Sequence, residues 1–250
     1  MNRVFFICAR RFCINQLRRY SVHSPRHLYI NLDQATGRRT HIETIFEDLT
    51  IVPTRVPAID GRKLDEPDYR KLNPPTPTYQ PLTPGEIGCF LSHRRVWQMI
   101  ADGNEPMVAV FEDDVHLAQD ACKWITNFDW VPKGVDFVKL DTHNQPVLLG
   151  TETSLPDSHR RLSKIHSEVL NTAGYLISRR CAAQLLQMLS VMEKPVDVQM
   201  FAPQYHAFQG MRVMQMWPAI CAQNDSVVQS AHFVTTLESS SIRDSHHLRH

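Results

Sequence analysis

The stretch VAVFEDDVHL, residues 108–117, drives an apolar run into three consecutive carboxylates, Glu112, Asp113 and Asp114. Residues 107–111, MVAVF, are apolar at every position rather than at alternate ones, the pattern of a parallel strand covered on both faces. Upstream lies a well-signalled helix: in T-P-G-E, Thr83 is placed as N-cap, Pro84 as first helical residue and Glu86 as the reciprocal partner of a capping box. Its body carries Ile87, Phe90, Leu91, Trp97 and Ile100 for a core, and Asp102-Gly103 ends it.

Working outward, HLYINLD (27–33) reads as a short buried strand, and the helix behind it spaces Ile42, Ile45, Phe46 and Leu49 along one face. IVPTRVPAIDGRKL (51–64) predicts a second strand ending in the turn Asp60-Gly61. The proline-dense segment 73–84 forbids regular structure and predicts a stiff surface loop. Beyond the acids, the pattern predicts a helix near 118–128, strands at VDFVKL (135–140) and GYLIS (174–178) with a polar loop between them, and an amphipathic helix spacing Ala182, Leu185, Leu186 and Leu189. Strands alternating with helices predict an α/β fold, a single domain whose mostly parallel sheet is flanked by helices.

Composition agrees. The chain has 250 residues, 42% hydrophobic and 21% charged, enough for one large core. We place that domain at 27–235, between a basic start (1–26) expected to be disordered and a polar tail (236–250). With 27 Lys and Arg against 26 Asp and Glu, no overall basic field argues for nucleic acid. Cys8, Cys13, Cys89, Cys122, Cys181 and Cys221 are scattered with no C-x-x-C pair, which favours reduced thiols and a cytoplasmic setting over a disulfide framework or a zinc site. No apolar run approaches the roughly 20 residues of a membrane span. Arg3, Arg10, Arg11, Arg18, Arg19 and Arg26 precede the first acid, Asp33. Such a start reads as a transit peptide, as a mis-chosen start codon, or as a segment making peripheral contact with an anionic membrane.

If strand pairing persists to its end, Glu112 and Asp114 share one side and Asp113 takes the other. Two carboxylates on one side at a strand's carboxyl end suit Mn²⁺ or Mg²⁺, where open α/β sheets bind ligands. The same acids read equally as a solvated turn or as caps of the next helix.

LTPGEIGCFLSHRRVWQMI followed by VAVFEDDV resembles glycosyltransferase family 25, and INLDQATGRR, AIDG, GYLIS and PVDVQM match in order. The resemblance spans about residues 27–230. It implies a GT-A type, Rossmann-like fold, a UDP-sugar donor, usually UDP-galactose, and a divalent metal on E-D-D. It also implies a saccharide acceptor, an oligosaccharide or lipid-linked saccharide of lipopolysaccharide or lipooligosaccharide, and inversion at the anomeric carbon. One departure is Gln34, where the family is often basic.

On that reading Glu112 and Asp114 hold the metal and Asp113 bonds the donor sugar or ribose. Asp197 is the general base, its competing role being a helix N-cap. Asn31, Asp33, Arg38 and Arg39 lie where a nucleotide would sit, the arginines reading otherwise as a solvated first helical turn. Asp60 and Gly61 approach the uridine or form a plain tight turn. Ser92 and His93, polar in an apolar stretch of helix, face the donor pocket or are bonded within the core. Trp217 is an acceptor-platform candidate, while Trp97 belongs to the helical core stripe. The competing functional reading is a non-catalytic protein or inactive paralogue that binds a nucleotide sugar or a carbohydrate.

Overall fold

The computed structural model describes residues 26–72, 81–143 and 145–223. Nearly all of the basic start, most of the proline-dense segment and the polar tail therefore lie outside the described residues. In chain order the elements are β1 (Arg26–Asn31), α1 (Thr36–Asp48), β2 (Thr54–Pro57), a 3-10 turn (Gly61–Lys63), α2 (Glu66–Leu72), α3 (Pro84–Ala101), β3 (Met107–Glu112), β4 (Val115–Leu117) and α4 (Ala121–Ile125). There follow β5 (Phe137–Lys139), β6 (Asp141–Thr142), β7 (Leu149–Ser154), β8 (Arg161–Ile165), β9 (Gly174–Ser178), α5 (Arg179–Met188), α6 (Val196–Phe201), a second 3-10 turn (Pro203–Tyr205), β10 (Val213–Trp217) and β11 (Cys221–Gln223).

Eight strands form one sheet in the order β2-β1-β3-β9-β5-β10-β8-β7, and β4, β11 and β6 form a small second one. β1 runs parallel to both β2 and β3, and β5 runs parallel to β10. β9 is antiparallel to β3 and β5, and β8 to β10 and β7. All strands of the large sheet except β8 and β9 thus point one way, which is the sense in which it is mostly parallel.

The apolar run at β3 behaves as its pattern dictates. Val108 and Val110 enter the core under α3 and α5, with Phe90, Trp97 and Leu185. Ala109 and Phe111 enter the opposite core under α1, with Ile42, Phe46 and Trp124. A strand covered on both faces has no solvent side to carry polar residues. Each fully buried large side chain contributes about 2 kcal/mol of transfer free energy. The capping box starts α3 as expected: Thr83 Oγ1 accepts from Glu86 N at 3.2 Å and Thr83 N donates to Glu86 Oε2 at 2.7 Å.

Three sequence expectations are corrected. The stretch between β5 and β9, read as a polar loop, contains β7 and β8; β7 is an edge strand with mostly exposed residues, so it lacks the hydrophobic alternation that marks a half-buried strand. The helix expected at 118–128 is the single short α4. Cys89, Cys181 and Cys221 are free thiols, but Cys122 is disulfide-bonded, contrary to the all-thiol reading. Among the described residues no helix is long and apolar enough to cross a membrane.

Candidate functional site

The parallel strands β1, β2 and β3 all end on one edge, and there a cavity of about 440 Å³ opens between the start of α1, the loop 58–62 and the first half of α3. Asn31, Arg38, Asp60, Gly61, Ser92, His93, Glu112 and Asp113 line it, which gathers eight of the sequence candidates on one wall or another.

The loop lies against α3 because two glycines permit it. A Cβ on Gly61 would stand 1.8 Å from the Pro84 carbonyl oxygen, and one on Gly88 would stand 2.5 Å from that of Ile59. Ser92 Oγ closes the seam, donating to Gly88 O at 2.6 Å and accepting from Ile59 N at 2.8 Å. Asp60 caps the 3-10 turn. Arg62 chiefly, and Gln34 at 2.7 Å, hold its carboxyl down at about 2.

The condition for alternation along E-D-D is not met, because β3 ends at Glu112 and Asp113 and Asp114 occupy the turn into β4. Side-chain direction in a turn no longer follows a period of two. Glu112 continues the Val108 and Val110 face toward α3. Its Oε1 accepts from Thr172 Oγ1 at 2.8 Å and meets His93 Nε2 at 3.2 Å, while Oε2 accepts from Gln223 at 3.0 Å. Burial opposes its charge, yet the hydrogen bonds from His93 and Thr172 and the Lys139 ammonium outweigh it and its pKa is lowered. Asp113, buried, accepts from Asn31 Nδ2 at 2.7 Å and from Arg38 at 3.3 Å.

Asp114 is provided for differently. Arg38 reaches its Oδ2 at 3.2 Å, but Oδ1 is buried with no hydrogen-bond partner among the described residues. Burial first, then the Glu112 charge, with a further push from Asp113, raise its pKa to about 6 in spite of Arg38.

Behind Glu112 runs a buried polar chain. Trp97 Nε1 donates to the Tyr175 hydroxyl at 3.1 Å, which meets His93 Nδ1 at 2.9 Å. Since an ionised Glu112 only accepts, His93 Nε2 carries the proton toward it and Nδ1 accepts from Tyr175. His93 is thus both core-bonded and cavity-lining.

A corner at residues 171–172 ties Glu112 to Asp197. Thr172 holds Glu112, and the Asn171 N–H donates to Asp197 Oδ2 at 2.9 Å. Asn171 sits at φ 69°, the left-handed region, and the fully buried Lys139 holds its carbonyl at 2.7 Å while pairing with Asp141 at 2.6 Å. Asp197 does not cap α6, whose N-cap is Pro195; it lies in the first turn, its Oδ1 accepting from Val198 N at 2.9 Å. His143 feels both Lys139 and Asp197, with burial as the main cause of its lowered pKa.

The sequence of this chain matches the description Glycosyltransferase family 25 (LPS biosynthesis protein) over residues 25–200. The chain belongs to glycosyltransferase family 25. Against the lacto-N-neotetraose biosynthesis glycosyltransferase LgtE of Neisseria gonorrhoeae it is 31% identical over 203 residues, 78% of this chain and 72% of the relative. It is 30% identical over 174 residues to the lipooligosaccharide biosynthesis protein lex-1 of Haemophilus influenzae, covering 62% of this chain and 54% of that one. A crystal structure of a glycosyltransferase involved in glycosylation of the major capsid of PBCV-1 covers 81% of this chain and 93% of its own, at 10% identity and a TM-score of 0.44, a likeness too distant to carry an argument.

In this family 25 glycosyltransferase four sequence candidates lie outside the cavity lining: Asp33, Arg39, Asp114 and Asp197. Asp33 is exposed and bound to Arg55 at 2.6 Å, and Arg39 pairs with Glu43 at 3.0 Å along the outside of α1. Trp217 is 8% exposed, in β10. Sequence reading missed Arg55, which also holds Asn31 Oδ1 at 2.9 Å, together with Thr172, Tyr175, Lys139 and Gln223. No local motif marks them, because each reaches the site from an element distant in sequence. The residues present fit a hard divalent cation: an orphaned, buried carboxylate oxygen at Asp114 beside a second acid is what an oxygen-ligated ion would satisfy.

Proposed function

We propose that this glycosyltransferase moves a hexose, galactose in the first instance, from a UDP-sugar to a saccharide acceptor of lipopolysaccharide or lipooligosaccharide, on a GT-A type scaffold, with inversion and with Mn²⁺ or Mg²⁺. The observation that carries this reading is the under-partnered Asp114 carboxylate, which Arg38 ties to Asp113, both Arg38 and Asp113 lining the cavity.

Asp114 and Glu112 would hold the cation, Asp114 with its free oxygen foremost. A bound divalent ion supplies positive charge to the leaving diphosphate. Arg38, anchored by two carboxylates yet 60% exposed, adds a guanidinium suited to phosphate oxygens. Asp113, already oriented by Asn31, presents an acceptor for donor hydroxyls. The glycine-permitted loop 58–61 offers backbone groups and the Asp60 carboxylate to the nucleoside. Asp197 takes the proton of the acceptor hydroxyl as that oxygen bonds to the anomeric carbon and the bond to the diphosphate breaks, its electron pair leaving with phosphate. One displacement inverts the centre.

The test is calorimetric titration of UDP with and without Mn²⁺, on the wild type and on Asp114→Asn. Binding that requires the metal and weakens at least 10-fold in the variant supports the reading. Metal-independent binding, or none, overturns the uridine-donor and cation assignment. Metal-dependent binding without turnover on any saccharide favours a non-catalytic nucleotide-sugar-binding protein.

A further inference from the structure

The α3 wall of the cavity carries ligands of a different chemical character from the acids of the turn. Cys89 and His93 stand one helical turn apart on α3, where i and i+4 side chains are neighbours. Glu112 faces them from the end of β3. A sulfur, a ring nitrogen and a carboxylate oxygen from these three residues all lie within 4.8 Å of one another.

We propose that Cys89, His93 and Glu112 form a binding site for a borderline-soft divalent cation of the Zn²⁺ class, separate in composition from the all-oxygen site at Asp114 and exclusive with it because both use Glu112. Thiolate, imidazole and carboxylate together are zinc ligands, whereas Mn²⁺ and Mg²⁺ favour oxygen. Metal–ligand lengths of about 2.0–2.3 Å place the donor atoms of a tetrahedral ion roughly 3.3–3.8 Å apart. The donor atoms of the triad, within 4.8 Å of one another, must close by about 1 Å to reach that spacing.

Its surroundings are built for ligation. A histidine that binds metal through Nε2 needs a partner for Nδ1; here the Tyr175 hydroxyl stands at 2.9 Å, itself fixed by Trp97. On binding, the His93 proton moves to Nδ1 and points at the Tyr175 oxygen. Glu112 keeps Thr172 and Gln223 as orienting donors. The Cys89 S–H bond breaks, its proton passes to water, and the sulfur electron pair bonds the ion, with no change of oxidation state. Thiolate and carboxylate then neutralise the dication. All three residues line the cavity, so the fourth position opens toward it.

The consequence, which rests on the proposed Mn²⁺ or Mg²⁺ role of Glu112, is that zinc draws this carboxylate away from the hard-cation site and inhibits transfer. The binding itself is tested without donor or turnover. Chelator-treated full-length protein is titrated with Co²⁺ and the near-ultraviolet sulfur-to-cobalt charge-transfer band is followed. We expect a band that saturates at one ion per chain, is bleached by Zn²⁺ but not Mg²⁺, disappears in Cys89→Ser, and needs about 10-fold more Co²⁺ in Tyr175→Phe. No band, or one that survives in Cys89→Ser, overturns the site. Should that variant not fold, alkylation of the wild type read by peptide mass decides: Zn²⁺ protecting Cys89 supports the site, and unchanged labelling overturns it. The UDP titration fails or succeeds independently of either readout.

Discussion

Asp114 and Asp120 stand one short strand apart, and their environments push them in opposite directions. Asp120 is saturated: Arg160 reaches both of its oxygens, at 2.5 and 2.8 Å, and Trp124 Nε1 donates at 3.0 Å. Burial opposes its charge, but those donors prevail and its pKa is lowered. Asp114 is the more buried of the two and shares one guanidinium with Asp113, faces Glu112, and keeps an oxygen with no donor among the described residues, so burial first and then the Glu112 charge raise its pKa to about 6. The contrast separates a carboxylate that holds the fold together from one left short for a ligand to complete. Perturbed acids gather at working sites because the ligand, not the fold, supplies their missing partner.

The largest effect that would break this comparison is at Asp120. Asp120→Ala leaves Arg160, only 4% exposed, without its counter-charge. Chemical denaturation should show a loss of about 3 kcal/mol, with the turnover of the folded fraction retained. An equal loss of turnover would mean that the two acids do not divide their roles in this way.

Asp114→Asn should act with the opposite sign. The folded protein holds the Asp114 proton up to about pH 6, whereas the unfolded chain releases it near 3.8, so stability falls as pH rises between those values. Above pH 6 the whole cost is present. The neutral variant should therefore be more stable than the metal-free wild type by about 3 kcal/mol at pH 7, and by less than about 1 kcal/mol at pH 4. Thermal melts at the two pH values check it; a variant destabilised at pH 7 would count against an unmet charge.

The smallest effect sharpens the description of Glu112. Thr172→Val removes one of its donors and should cost about 1 kcal/mol. The folded pKa of Glu112 lies below its ordinary value, so its stabilisation is present above that value and is lost as pH falls through the folded pKa. With one donor gone the loss begins at higher pH, and the acid limb of stability should move upward. An unmoved limb would assign the lowering to His93 and Lys139 alone.

Local signals and distant ones divide what was legible. The capping box at Thr83 and Glu86, the two-sided core strand at 107–111 and the stripe through Ile42 and Phe46 each depend on residues a few positions apart, and each is found where the sequence places it. The polar edge strand β7 carries no such signal, so its sequence is indistinguishable from a loop. The side-chain alternation read for the three acids required the strand to continue through them, and the strand stops at Glu112, so strand dihedrals do not set the directions of Asp113 and Asp114.

By itself the sequence determined that three acids close an apolar strand, that a capped helix precedes them, and that the chain resembles family 25. Those are statements about adjacency along a chain, which residue type and spacing encode. Only the tertiary structure decided which acid lacks a partner, because that depends on donors arriving from Arg38, Thr172, Gln223 and Arg160, residues far from the acids they meet. Charge is written in the sequence, but its cost is set by what folding brings within hydrogen-bond distance.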